Sequence, residues 1–312
     1  GRVEQIDLDL TSAATRRLIG SWFEWFAGHG VSIVRLDAVG YVVKKPGTSC
    51  FMVEPEIYDT LDWLISAAAE HDLVVLPEIH DVSDTHRKLS ARGYWTYDFV
   101  LPGLLLQAFG SADATRLAEH LAASPERQFT TLDCHDGIPV RPDLEGILTH
   151  DEMSSLAAGI VSRGGNINRI LGHVDDGPDV HQLNCTYYSA VGEDDRRYLA
   201  ARAIQLFARG VPQLYYVGLL AGANDLEAVE RTGEGRAINR HDYTSAEIDA
   251  ALARPLVQRL LELVRLRAEH PAFGGRLRAK AMGPVIHMEW TAGAERVALH
   301  ADLRDGEIAV HA

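Results

Sequence analysis

The stretch Gly30–Val39, "GVSIVRLDAV", carries an apolar run straight into Arg35 and Asp37, two residues apart. Side chains at i and i+2 of a strand share a face, so a cation and a carboxylate emerge together. They form either a structural ion pair or part of a reactive site. Glu78 ends the apolar run "LVVLPEI" (73–79), and His135 and Asp136 follow "QFTTLDC" (128–134). Singly, Glu78 reads equally as a helix cap or a solvated turn, and His135–Asp136 before Gly137 as a tight turn. Three acids at converging strand ends would repel one another unless a site uses their charge. Glycosyl transfer uses it. Carboxylates stabilise an oxocarbenium-like transition state, one attacking the sugar carbon while a second carboxyl group protonates the leaving oxygen. Neighbouring negative charge keeps that acid protonated, and a third carboxylate can orient sugar hydroxyls.

The elements that must position these groups alternate between strand and helix. Residues 11–28 read as a helix capped by Thr11 or Ser12, with Leu18, Trp22 and Phe26 as one stripe and Ile19 and Phe23 beside it. Gly28 and Gly30 stop it, and a strand over 31–37 follows. A second helix starts at Pro55, placed at the first helical position, with Ile57, Leu61, Leu64, Ile65 and Ala68 on one face. Strands are expected over 73–79, 94–100, 128–134 and 211–217. Helices are expected at "LPGLLLQAF", 196–209 and 253–269, and a loop-rich insertion over about 137–195. Residues 284–311 alternate with period two, which predicts antiparallel β structure. Apolar strands separated by amphipathic helices imply an α/β fold with a parallel sheet covered by helices. Barrel enzymes of this kind place their chemistry at the carboxyl ends of the strands.

The 312 residues and 46% hydrophobic content allow a large core. A formal net charge of −14 argues against nucleic-acid and membrane-surface partners. Cys50, Cys134 and Cys185 are widely spaced, with no CxxC, so a reducing, cytoplasmic setting without a structural metal is expected. No apolar run reaches the length of a membrane span and no signal peptide is visible.

"GVSIVRLDA", "LPEIH" and "TTLDCHD", in this order, resemble the catalytic regions of the α-amylase superfamily, glycoside hydrolase family 13. "QIDLD" (5–9) resembles that family's motif at the end of its second domain, and "GVPQLYYVG" (210–218) its eighth-strand motif. "RLDAVGYVVKKPGTSCFM", "YDFVLPGLLLQA", "LDCHDGI", "QLNCTYYSAVG", "YYVGLLAGANDLE" and "GRAINRHDYTSAEI" are similar to the sucrose phosphorylase subfamily. The resemblance implies a (β/α)8 barrel represented by strands four to eight, with a small C-terminal antiparallel β domain. The corresponding boundaries are residues 1–10 for the end of the second domain, 11–272 for the partial barrel and 273–312 for the C-terminal domain.

The resemblance also implies roles. Asp37 matches the nucleophile that forms a glucosyl–enzyme ester, Glu78 the general acid/base and Asp136 the transition-state stabiliser. His135 matches a contact to a sugar hydroxyl, and Arg35 the arginine that fixes the nucleophile. Arg236 resembles a glucose-subsite arginine, though a surface loop charge is an equal reading. Tyr41, His80 and Gln182 match groups on the loops that receive phosphate. A dianion entering among carboxylates needs donors and a cation, which His80 and Arg236 are placed to supply. His181, before Gln182, stands where sucrose phosphorylases typically carry tyrosine, and resembles the sucrose 6-phosphate branch; His173 is a lesser candidate beside it. The implied substrates are sucrose or sucrose 6-phosphate and inorganic phosphate. No cofactor and no metal are implied, and the resemblance allows a homodimer. The first three strands and the third-strand sugar-binding motif have no match, so the chain, opening on Gly1, is expected to begin within a longer protein. Three other readings stay open: a glucosylglycerate-type phosphorylase, a hydrolase or transglucosidase using the same acids, and a catalytically silent fragment that binds sugar or a partner.

Overall fold

Ser12 opens the first helix, its hydroxyl accepting the Ala14 amide. In this computed structural model, residues 7–169 and 180–312 are described. Helix α1 (Ala13–Gly28), strand β1 (Ile33–Leu36), helix α2 (Glu56–Ala69) and strand β2 (Val74–Pro77) come first. Helix α3 (Ser83–Ala91), strand β3 (Thr96–Asp98), helices α4 (Leu101–Ser111) and α5 (Thr115–Ala123) and strand β4 (Gln128–Thr130) follow. Then come β5 (Ile138–Pro139), α6 (His150–Ser162), β6 (Asn166–Arg169), β7 (Val180–Asn184), α7 (Tyr187–Ala190) and α8 (Asp195–Phe207). Strand β8 (Val211–Pro212) leads to α9 (Tyr216–Leu219), α10 (Leu226–Thr232), α11 (Ser245–Leu252) and α12 (Pro255–Glu269). Strands β9 (Arg276–Met282), β10 (Val285–Ala292), β11 (Glu295–Asp302) and β12 (Ile308–His311) complete the order. The chain forms two compact units, one of residues up to Ile79 with Lys88–Tyr97, the other of His80–Arg87 and Asp98–Ala312.

In the first unit β1 and β2 pair in parallel, Ile33 opposite Val74 and Leu36 opposite Pro77. The Glu78 amide continues the ladder by donating to the Leu36 carbonyl at 3.0 Å. Asp37 and Glu78 therefore leave the same edge of the pair, one residue past each strand. The core joins Ile57, Leu61, Leu64 and Ala68 of α2 to Val75, Ile79, Leu89 and Tyr94. That α2 stripe is the one its spacing predicts, save that Ile65 is only half-buried. Pro55 is the cap and Glu56 the first helical residue, so the helix starts one residue later than expected. In α1 the expected stripe is displaced: Ile19 and Phe23 are buried, whereas Leu18 and Trp22 remain 43% and 44% exposed. The helix carries two adjacent apolar stripes, and only one faces this core.

In the second unit β4 and β8 are parallel, Phe129 opposite Val211. The eighth-strand segment is shorter than the 211–217 expected. Gln205 Nε2 donates to the carbonyls of both Thr130 and Gln213, the Gln213 amide still donates to Thr130 at 2.8 Å, and Tyr216 then begins a helical turn. The segment expected as a strand over 94–100 is cut to β3, since Asp98 Oδ1 accepts the Leu101 amide and turns the chain into α4. The insertion over 137–195 is more regular than expected. Among its described residues, β5, β7 and β6 form an antiparallel sheet, and Thr149 and Glu152 close a capping box on α6. The C-terminal strands make an antiparallel sheet in the order β12-β11-β10-β9. Ile286, Met288 and Trp290 face the core, and Trp290 Nε1 donates to the Phe207 carbonyl at the end of α8. Among the described residues, no helix is long and apolar enough to cross a membrane.

Candidate active site

The candidate residues fall in both units: Arg35, Asp37, Tyr41 and Glu78 in the first, and His80, His135, Asp136, His181, Gln182 and Arg236 in the second. His173 and part of "QIDLD" lie outside the described residues.

In the first unit one guanidinium serves two carboxylates. Arg35 Nη1 lies 2.6 Å from Asp37 Oδ1 and Nη2 lies 2.5 Å from Glu78 Oε1. The parallel pairing of β1 with β2 produces this, since it sets both carboxyl ends at one edge. Burial pulls the Arg35 pKa down, but the Glu78 charge and the bond to Asp37 outweigh it, leaving the value above that of an ordinary arginine. The other Glu78 oxygen accepts the Ala38 amide at 3.0 Å. Ala38 has φ +46°, a left-handed conformation that costs a residue with a Cβ. The sharp turn it makes after Asp37 points that amide at Glu78. Asp37 is 73% exposed in its side chain and Glu78 only 10%. Tyr41 stands exposed after this turn, its ring 4.7 Å from that of Phe51. The sequence reading paired Arg35 with the nucleophile position alone; its contact with Glu78 depends on strand register and was missed.

In the second unit Asp136 is ringed by two arginines and a histidine. Arg236 Nη1 lies 2.9 Å and Arg240 Nη2 3.6 Å from Asp136 Oδ1, while His135 Nε2 lies 3.3 Å from Oδ2. Arg240 Nε also donates to the His135 carbonyl, and Asn239 Nδ2 to that of Cys134. Arg240 was not singled out from the sequence, although it lies in the same "GRAINRHD" run, four residues after Arg236. Beneath this loop Arg202 and Asp133 form a buried pair, Nη2 lying 2.8 and 2.7 Å from the two carboxylate oxygens. Arg202 also donates to Tyr198 and Gln205, and Tyr198 donates to the Gly218 carbonyl. A Cβ at Gly218 would sit 2.0 Å from Arg202 Nη2 and 2.4 Å from Asp133 Oδ2, so the network requires glycine there. None of this cluster was picked out as a site from sequence.

His80 and His181 also meet in the second unit, their ring centroids 5.8 Å apart. His80 stacks on Phe99 at 4.0 Å, and its Nδ1 is 2.9 Å from Asp143 Oδ2. His181 Nδ1 is 2.8 Å from the Arg141 carbonyl. Gln182, beside it on β7, is 3% exposed.

Cys134, His135 and Asp136 bring one potential ligand atom each within 4.8 Å of one another. Burial pushes the Cys134 thiol up to about 11. One observation weighs against a metal there. Asp136 is already engaged by Arg236.

No protein-family model matches the chain. Sucrose 6(F)-phosphate phosphorylase of Thermoanaerobacterium thermosaccharolyticum is 48% identical over 96% of this chain and 62% of its own length. Sucrose phosphorylase of Streptococcus mutans is 46% identical over 86% of this chain and 56% of its own. The chain thus spans about three fifths of the curated relatives it matches. The crystal structure of sucrose 6F-phosphate phosphorylase from Thermoanaerobacter thermosaccharolyticum superposes with a TM-score of 0.95, at 47% identity, over 98% of this chain and 63% of that one. An α-amylase from H. orenii superposes with a TM-score of 0.62 at 14% identity, over 94% of this chain and 55% of that one, a likeness of fold alone. The fold is accordingly of (β/α)8 type over part of its length, with a C-terminal antiparallel sheet. Over nearly all of its length the chain is similar to sucrose 6(F)-phosphate phosphorylases and sucrose phosphorylases.

Proposed function

We propose that this chain carries catalytic groups of a retaining disaccharide phosphorylase that moves glucose from sucrose or sucrose 6-phosphate to inorganic phosphate. The products are α-glucose 1-phosphate and fructose or fructose 6-phosphate. The observation that carries the reading is the single guanidinium of Arg35 shared by Asp37 and Glu78 at adjacent strand ends. Double displacement needs a nucleophile and an acid at short range, roughly 5–5.5 Å, and a shared guanidinium is compatible with that.

Asp37 attacks the anomeric carbon, the glycosidic bond breaks, and the leaving oxygen takes a proton from Glu78. The carboxylate so formed has Arg35 Nη2 to receive it. A phosphate oxygen then attacks the same carbon, its proton passes to Glu78, and the ester bond to Asp37 breaks. Two inversions give net retention. Asp136 stabilises the positive charge of both transition states, with His135 and Arg236 contacting the glucosyl group. Tyr41, His80 and Gln182 receive the phosphate. His181 favours the 6-phosphorylated acceptor, a reading that the sucrose 6(F)-phosphate phosphorylase relative supports. We place the enzyme in a reducing cytoplasm, where Cys50, Cys134 and Cys185 stay free thiols.

Product analysis of the full-length protein tests this. Phosphate-dependent glucose 1-phosphate is expected, faster from sucrose 6-phosphate than from sucrose. Free glucose at the same rate with or without phosphate means a hydrolase. Turnover only with glycerate or glycerol acceptors means a different acceptor site. No turnover of any glucoside means a silent sugar-binding chain.

A further inference from the structure

Asp143 has no exposed surface, yet only one of its oxygens, Oδ2, has a hydrogen-bond partner, the Nδ1 atom of His80. Oδ1 faces His86 Nε2 at 4.0 Å, and both His86 ring nitrogens are buried without a hydrogen-bond partner. A fully buried carboxylate half satisfied is costly to keep, so its position calls for a reason beyond packing. We propose that Asp143 is a positioning residue for His80, committing the Nδ1 proton of that ring so that His80 meets an incoming phosphate through Nε2; this rests on the phosphorylase reading above.

A carboxylate can only accept, so a bond at His80 Nδ1 places a proton there and makes Nε2 the exchanging or ligand-facing atom. Phe99 stacks on the ring with an interplanar angle of 17°, and the His181 ring meets its edge at 73°. The ring is therefore held in plane by Phe99 and in rotation by Asp143. His181 is backed in the same way, with Nδ1 on the Arg141 carbonyl. Two imidazoles with their Nδ1 atoms turned to backing acceptors suit an anion that takes up hydrogen bonds from one side. His86 lies behind Asp143, and the charged groups acting on it are Asp143, Asp98, His80 and Asp81. Burial holds His86 below the usual histidine range, so it does not compete as a cationic partner for the Asp143 carboxylate.

The test uses the full-length protein as wild type, Asp143→Asn, His80→Gln and the double variant. An asparagine amide can donate to Nδ1 and turn the tautomer over while keeping its volume. Long-range proton–nitrogen NMR on histidine-labelled protein, with His80 assigned from His80→Gln, should show the Nδ1–H form in wild type and its loss in Asp143→Asn. The KM for inorganic phosphate should rise about tenfold or more in Asp143→Asn, as for lost outer-shell partners of other functional imidazoles, with a smaller fall in kcat. In the His80→Gln background Asp143→Asn should add almost nothing, because its effect runs through that ring. A bare Nδ1 in wild type, an unchanged phosphate KM, or additive single effects would each overturn the proposal. Absence of phosphorolysis in wild type would sink the phosphorylase reading, and the tautomer would still decide whether Asp143 positions His80.

Discussion

Arg202, in the second unit, spends its guanidinium on Asp133, Tyr198 and Gln205 and has no exposed surface. Arg35, in the first, spends its own on Asp37 and Glu78 and is 32% exposed in its side chain. Both sit near the carboxyl ends of parallel strands. In the buried pair every charge is answered within the protein, and its carboxylate is out of reach of solvent. In the open group Asp37 is largely exposed, so its charge is available to a substrate. On the proposed function the same chemistry makes a foundation in one place and a reactive group in the other, and exposure of the carboxylate separates the two.

Substitutions can break this contrast, beginning with the largest expected effect. Asp37→Asn should cut glucosyl transfer by roughly 10⁴-fold, as for loss of a nucleophile, with the unfolding midpoint unchanged in a thermal scan. An unfolding shift comparable to that of a core variant would mean Asp37 is structural. Arg202→Met leaves Asp133 buried without a counter-ion and should cost about 3–5 kcal/mol of stability, read by denaturant unfolding. If stability survives and only activity falls, the buried pair is not the foundation described. Gly218→Ala drives a methyl against the same pair and should cost about 1–3 kcal/mol. The double variant with Arg202→Met should be less than additive, because one of the two clash partners, Arg202, is gone and Asp133 is released from its pair.

The smallest effect concerns the buried His120–Asp98 pair, 2.9 Å apart. Burial opposes the His120 charge, but Asp98 outweighs it and raises the His120 pKa above 6.5. Burial likewise opposes the Asp98 charge, and His120 outweighs it, lowering that pKa below 3.8. The His120 contribution is fully present below the unfolded value, about 6.5, and is lost as pH rises through the raised folded value. The Asp98 contribution is present above about 3.9 and is lost as pH falls through the depressed one. His120→Gln should therefore flatten the decline in melting temperature as pH rises above about 6.5. An unchanged slope would show that the pair does not set it.

Much of the frame was legible because its signals are local. The apolar runs into Arg35–Asp37 and Glu78 marked strand ends, while the strand expected over 128–134 stops at Thr130, and the α2 stripe followed helical spacing. What stayed hidden depends on partners distant in sequence. Asp143 lies 63 residues from His80, Arg202 lies 69 from Asp133, and nothing local marks either pair. The shortened eighth strand was hidden because the apolar "LYYV" carries the strand pattern on into the helical turn that starts at Tyr216. The helix α6 was missed despite a local signal, since "THDE" at 149–152 spells a capping box.

The raised Cys134 thiol has a practical counterpart. Burial also pushes Cys185 up to about 12, so it and Cys134 hold their protons at neutral pH. Cys50 and Cys134 are both partly exposed, and Phe51, the residue after Cys50, carries the ring against Tyr41. An alkylating fluorophore at neutral pH should therefore attach first at Cys50, without mutagenesis. The unaltered protein would then report, by emission, on the loop that holds Tyr41 when sucrose or phosphate is added.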